Sequence, residues 1–374
     1  MQDVTYTELI ILEYRDQTEL SDAKHDGKIN MQDVTQIELV ILGRELEITI
    51  LDSDDRVVTV SMPVKRVVVA CEGPHEPMII LSKNKIVGLS DEIKRWYPDL
   101  VEKSGSMDIP SVGSMISANL DYEKIISLEP DLVLVSYWVE TVSEKLPEEI
   151  PVVALGFDQS GPNIIVIPEL RILGAILEEE EEEKATEVIN WIQKYEGIIE
   201  DRTEDLSLEE QTTFYIETYA DYVTYGSNAY DGLVAEGCGG RNIVAEAGLP
   251  AGIWGEFEVS PEWVLEHDPD MIFSRVSGGI SGFEWTDEEA ETRLNELIDR
   301  PGWKELSAVK EDRVHLYAGT LVYTPRYIIG RCYFAKWLQP DLFNDLDPDS
   351  MHTEYWKEFL GIDLEGVWVY PPIK

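Results

Sequence analysis

The chain has 374 residues, of which 44% are hydrophobic, enough for two or three domains with sizeable cores. Its 74 Asp and Glu against 30 Lys and Arg give a formal net charge of -44. That excludes a nucleic-acid backbone or an anionic membrane surface as partner, since both are held by basic patches, and it suits a salty medium that screens self-repulsion. Cys71, Cys238 and Cys332 form neither a disulfide framework nor a paired metal motif. No apolar run reaches the length of about 18 residues that a membrane helix needs.

Residues 1–42 hold an internal repeat. Met1-Gln2-Asp3-Val4-Thr5 returns as Met31-Gln32-Asp33-Val34-Thr35, and Glu8–Leu12 returns as Glu38–Leu42. Between the copies, residues 22–33 have the layout of a calcium loop. Oxygens come from Asp22, Asp26, Asn30 and Asp33, with the Lys28 carbonyl between them, and Gly27 permits the turn. Lys24 occupies a position where an oxygen is expected. The pattern resembles a dockerin module, which implies calcium and a cohesin-like partner. The first copy begins at the end of its loop, so the natural chain is expected to extend upstream. The alternative is a small helical pair over residues 1–44 that packs on the main body.

From residue 45 the pattern turns to strands and helices in alternation, as in α/β units. Glu47–Asp52 and Val57–Val60 read as a hairpin. Lys65–Ala70 reads as a buried strand, and its far end carries Cys71-Glu72-Gly73-Pro74-His75-Glu76. Open α/β sheets place ligands at such strand ends. Ile86–Leu89, Asp131–Ser136 and Pro151–Leu155 are further strands, and Tyr137 and Trp138 follow the second of these. Leu128-Glu129-Pro130-Asp131-Leu132-Val133 ends a short helix, and Val112-Gly113-Ser114 precedes it. These motifs resemble the metal-chelate type of solute-binding protein, which delivers cobalamin, siderophores or haem to ABC importers. In that family an acidic residue of this helix pairs with the importer permease. Glu123 matches the position; it is otherwise an ordinary solvated glutamate.

Six glutamates, Glu178–Glu183, open a helix with Ala185, Val188, Ile189, Ile192, Tyr195 and Ile199 on one side. It separates the unit at 45–177 from a second at 204–374. The resemblance makes residues 178–203 a stiff backbone helix joining two Rossmann-like lobes, the class III periplasmic binding protein fold, with small opening motions. Leu173-Gly174 is expected to end a separate helix before it.

In the second unit Gln211–Glu217 is a strand. The aromatic-rich region after it holds Tyr219, Tyr222 and Tyr225, which either stack on a flat ligand or form a packed rim. Trp254 and Trp285 belong to the same ligand-binding set. Ser260-Pro261 starts a helix, and Asp268-Pro269-Asp270 repeats the earlier Pro-Asp device. Glu258, just before that helix, is the expected second permease contact. Near the last strand Arg326 lies between Tyr323 and Tyr327. It is a carboxylate-binding ligand contact or a structural ion pair. His75 and Glu76 would suit acid–base chemistry, but no catalytic triad and no zinc motif accompany them, so no enzyme and no catalytic cofactor are expected. The resemblance implies an extracellular or cell-surface protein that takes an iron-siderophore, corrinoid or haem-like chelate between its lobes. A scaffold component tethered by the N-terminal module, or a binder of molybdate or tungstate, is the alternative.

Overall fold

The computed structural model describes residues 2–12, 14–15, 18, 21, 23, 28–41, 47–116, 119–157, 166–218, 220–226, 229–249, 256–276 and 282–373. Each lobe is built on a buried sheet. In the first, four parallel strands lie in the order Ile86–Leu89, Val67–Val69, Leu132–Val135, Val152–Ala154. Side chains alternate between the two faces of a strand. Val67, Val69, Leu132 and Leu134 therefore enter one core, and Val68, Val133 and Val135 enter another. Both faces are covered, which is why these strands are continuous apolar runs.

The second lobe has five strands in the order Gly240–Asn242, Thr212–Glu217, Met271–Val276, Val314–Ala318, Val369–Tyr370. The first four are parallel and the last is antiparallel. Phe214, Ile216 and Phe273 face one core, while Tyr215, Ile272 and Leu316 face the other.

The helix Glu179–Thr203 spans 25 residues, about 37 Å. Ala185, Val188, Ile189, Ile192, Tyr195 and Ile199 are its buried stripe. It packs on the helix Val166–Leu177, on His75–Ser82 of the first lobe and on Tyr327–Leu338 of the second. One core thus runs from Val67 through Ile192 to Phe334 without a break. Of the six glutamates, Glu181 turns inward: it accepts from Ser82 Oγ at 2.7 Å and pairs with Lys85 Nζ at 3.2 Å. Gly174 does not end a helix. It lies inside Val166–Leu177 at the crossing, where a Cβ would stand 2.8 Å from that of Ala185.

In the N-terminal segment Gln2–Ile11 and Met31–Ile41 are helices that pack on each other. Asp22 and Asp26 lie outside the described residues. Asn30 and Asp33 cap the second helix: Asp33 Oδ2 accepts from the Asn30 amide at 2.7 Å, and Asn30 Oδ1 accepts from Gln32. Lys28 is exposed. Among the described residues no group of three or more His, Cys, Asp or Glu is placed to hold a metal, and no helix is long and apolar enough to cross a membrane.

Because the core is shared, Ile192→Ala is expected to cost about 2–5 kcal/mol. Denaturant titration should show one transition at a lower midpoint by both fluorescence and circular dichroism. Separate transitions for the two lobes would contradict the continuous core.

Candidate functional site

A cavity of about 640 Å³ opens between the lobes, within the range of about 300–1,000 Å³ typical of ligand sites. Its first-lobe wall is made at the C-terminal ends of three parallel strands. These supply Glu72 and Gly73, then Ser136, Tyr137 and Trp138, then Phe157. The strand ends crowd together: a Cβ on Gly73 would stand 1.7 Å from the Gly156 carbonyl oxygen and 2.8 Å from Ser136 Oγ. Trp96 and Tyr97 close one side. Burial pushes the Tyr97 hydroxyl up to about 12. Tyr137 is raised as well, by burial first and then by the charge of Glu72, so both phenols stay neutral hydrogen-bonding groups.

The opposite wall comes from the second lobe: Arg275, Tyr323 and Thr324. Arg275 sits in the otherwise uncharged strand Met271–Val276. Its Nη1 donates to Tyr225 Oη at 2.6 Å and its Nη2 to Tyr323 Oη at 3.2 Å. Nε lies 3.2 Å from Asp231 Oδ2, and Asp231 also accepts from the Tyr317 hydroxyl. A Cβ on Gly319 would stand 2.5 Å from Nε, so glycine there leaves room for the guanidinium. Three wall residues have left-handed backbone: Trp138 (φ 54°), Phe157 (φ 44°) and Thr324 (φ 57°). Such strain gathers where a site must be held in shape.

Beside the cavity the lobes are clasped. Glu76 of the first lobe is 2% exposed. Its carboxylate pairs with Arg326 Nη2 at 2.6 Å and accepts from Thr324 Oγ1 at 3.1 Å and Tyr355 Oη at 2.5 Å. The Thr324 amide also donates to the Phe157 carbonyl at 3.3 Å.

Tyr137, Trp138 and Tyr323 stand on the cavity wall, and Tyr225 stands behind it through Arg275. Arg326 does not line this cavity. It is 2% exposed, bound to Glu76, and lies over the Trp356 and Trp368 rings. His75 is also off the wall, 1% exposed in the first turn of its helix. Burial, and then Arg326, lower it to about 3, so it is neutral. Tyr222 accepts from Trp303 Nε1 at 3.1 Å and Trp285 is in the second-lobe core, so neither faces the cleft. Tyr219 and Trp254 lie outside the described residues. Sequence reasoning reached Glu72 only as part of its strand-end loop, and it missed Trp96, Tyr97, Phe157 and Arg275. The available signal was a charged residue, Arg275, inside a buried strand.

Glu123 and Glu258 are both exposed. Glu123 is the second residue of a helix capped by Asp121, and the matching helix in the other lobe is capped by Ser260. The residue at the corresponding position there is Glu262, also exposed, whereas Glu258 belongs to the ribbon before the cap. Each helix then runs into a Pro-Asp step and a sheet strand. A second cavity of about 630 Å³ lies at the opposite end of the second sheet, against Met271, Val314, His315 and Trp337. That is the N-terminal end of the parallel strands, not the end where such sheets place ligands.

The sequence profile described as "Periplasmic binding protein" matches residues 82–319. The chain is similar to the molybdate-binding protein MolA of Haemophilus influenzae, 26% identical over 337 residues, with 83% of this chain and 90% of the relative covered. It is similar to the Fe(3+)-citrate-binding protein YfmC of Bacillus subtilis, 27% identical, covering 61% of this chain and 65% of that one. Its fold matches the TroA-like periplasmic binding protein FepB of Veillonella parvula with a TM-score of 0.75, at 22% identity, over 86% of this chain and 99% of that one.

Removing one partner of the clasp strands a buried charge. Glu76→Gln is expected to cost about 3–5 kcal/mol. Replacing Glu76 and Arg326 together by methionine should cost less than the single change, as read by thermal or denaturant unfolding.

Proposed function

The chain belongs to the periplasmic binding protein family, whose members are non-catalytic carriers outside the cytoplasm, and from that membership we propose that it captures a metal chelate in the inter-lobe cleft and passes it to an ABC importer. The chelate is an iron-siderophore, a corrinoid or a haem-like compound. The observation that carries this reading is the wall of the cleft. Trp96, Tyr97, Tyr137, Trp138, Phe157 and Tyr323 surround a space of about 640 Å³, which suits stacking on an organic ligand with a few polar anchors. A bare oxyanion is the second reading, favoured by the likeness to the molybdate-binding protein of Haemophilus influenzae.

Glu123 and Glu262 are the proposed contacts with the importer permease, one from each lobe. The N-terminal repeat is proposed, on its loop spacing alone, as a calcium-dependent tether for a cohesin-like partner. A calorimetric calcium titration of the full chain that gives no heat would remove that tether.

Protein purified from its native host is expected to carry the chelate, visible as an absorbance band and identified by mass. A colourless protein that no chelate stabilises against heat would overturn the carrier reading. With the cognate importer in vesicles, Glu123→Lys and Glu262→Lys should each reduce stimulation of ATP hydrolysis without changing ligand affinity. Glu258→Lys should leave the stimulation unchanged.

A further inference from the structure

Among the described residues that line the cleft, Arg275 is the one basic group. What it offers a ligand depends on the groups behind it. Asp231 is 1% exposed and stands in the first turn of the helix Tyr230–Glu236. Its Oδ2 lies 3.2 Å from Arg275 Nε and accepts from the Tyr317 hydroxyl, and its Oδ1 accepts from the Tyr323 hydroxyl at 3.5 Å. At that separation the carboxylate and the guanidinium act on a molecule in the cleft as a dipole, not as a positive charge. Asp231 also sets direction. With Nε beside the carboxylate, Nη1 and Nη2 reach the Tyr225 and Tyr323 hydroxyls, and the Tyr323 ring is stacked on Tyr230 at 5.7 Å. The guanidinium is packed into this frame, because Nε and Cζ lie 2.5 and 2.8 Å from where a Gly319 Cβ would be. Of this group Arg275 and Tyr323 reach the cavity wall.

An arginine grips a carboxylate or an oxyanion through charge and a fork of donors together. Here a buried carboxylate of the same chain already meets the charge. Resting on the carrier reading above, we propose that Asp231 is a specificity-determining residue of the cleft: it withholds the charge of Arg275 from anions and leaves the side chain to the ligand as a directed hydrogen-bond donor. Asp231 acts through Arg275, so it is a positioning residue. The inference concerns two states of one arginine, and the other charges of the cleft are the same in both.

The test compares the full wild-type chain with Asp231→Asn and with the double variant Asp231→Asn, Arg275→Gln. Binding is followed by tryptophan fluorescence, since Trp96 and Trp138 line the cavity. The probes are molybdate and ferric citrate (anionic) and ferrichrome (a neutral ferric trihydroxamate). Asp231→Asn keeps the shape and removes the charge. It is expected to tighten both anions by about tenfold and to change ferrichrome by less than about threefold, and the gain should shrink as salt is raised. The double variant removes both charges and should return the anions to within about threefold of wild type. Circular dichroism and melting would verify that the variants are folded. The double variant strands no buried charge, so it tests the pairing even where the single change does not fold. Anions weakened about tenfold in it would show that the charge of Arg275 acts on them, and would overturn the inference. A folded Asp231→Asn that tightens neither anion, or tightens ferrichrome equally, would overturn it too and leave the carrier reading in place. If wild type and both variants bind none of the three probes, the carrier reading falls and the inference with it.

Discussion

The cleft depends on one buried carboxylate. Glu76 leaves the first lobe and receives a guanidinium, a phenol and a threonine hydroxyl from the second. Three charge-assisted hydrogen bonds in a dry environment are strong and directional. They hold Thr324 against Phe157, and both residues belong to the cavity wall. The clasp therefore sets the distance between the two walls. The desolvation of Glu76 and Arg326 is offset only while both are present, so the arrangement specifies one lobe geometry more than it adds stability.

The long helix acts with the clasp. Its buried stripe reaches both lobes and merges their cores. Interiors packed like crystals transmit displacement and resist bending. A helix fixed along one side and a polar clasp beside the cleft together leave little freedom for a wide hinge. Such a protein presents its cavity already formed, which lowers the ordering cost of capture.

The chemistry of the cavity follows from where charges are spent. Arginine is scarce in this acidic chain, and each of the two arginines near the cleft has an acidic partner. Asp231, Tyr225 and Tyr323 fix the orientation of Arg275, so that its remaining donors point in set directions. The wall therefore offers ring faces and directed hydrogen bonds, with the arginine charges already met by carboxylates.

Local pattern sufficed for the elements. The period of Ala185, Val188, Ile192 and Ile199 marks a one-sided helix wherever it packs, and runs such as Leu132–Val135 mark strands covered on both faces, because both signals depend only on near neighbours in the chain. The same local grammar, with its Pro-Asp steps, carried the two-lobed α/β architecture. Contacts between distant residues were not legible. Tyrosines flank Arg326 in sequence, yet its partner Glu76 is 250 residues away and draws it out of the cleft. Arg275 looked like a strand residue until Asp231 and Tyr225 placed its guanidinium on the wall. Gly174 read as a helix end because its close neighbour Ala185 lies on the next helix. That Glu262 holds the position matching Glu123 became visible only when the two capped helices could be set in register. The sequence by itself determined the helices, the strands and the class of fold. Only the tertiary structure decided which charges face the ligand, because an ion pair is chosen by proximity in space, and spacing along the chain does not encode it.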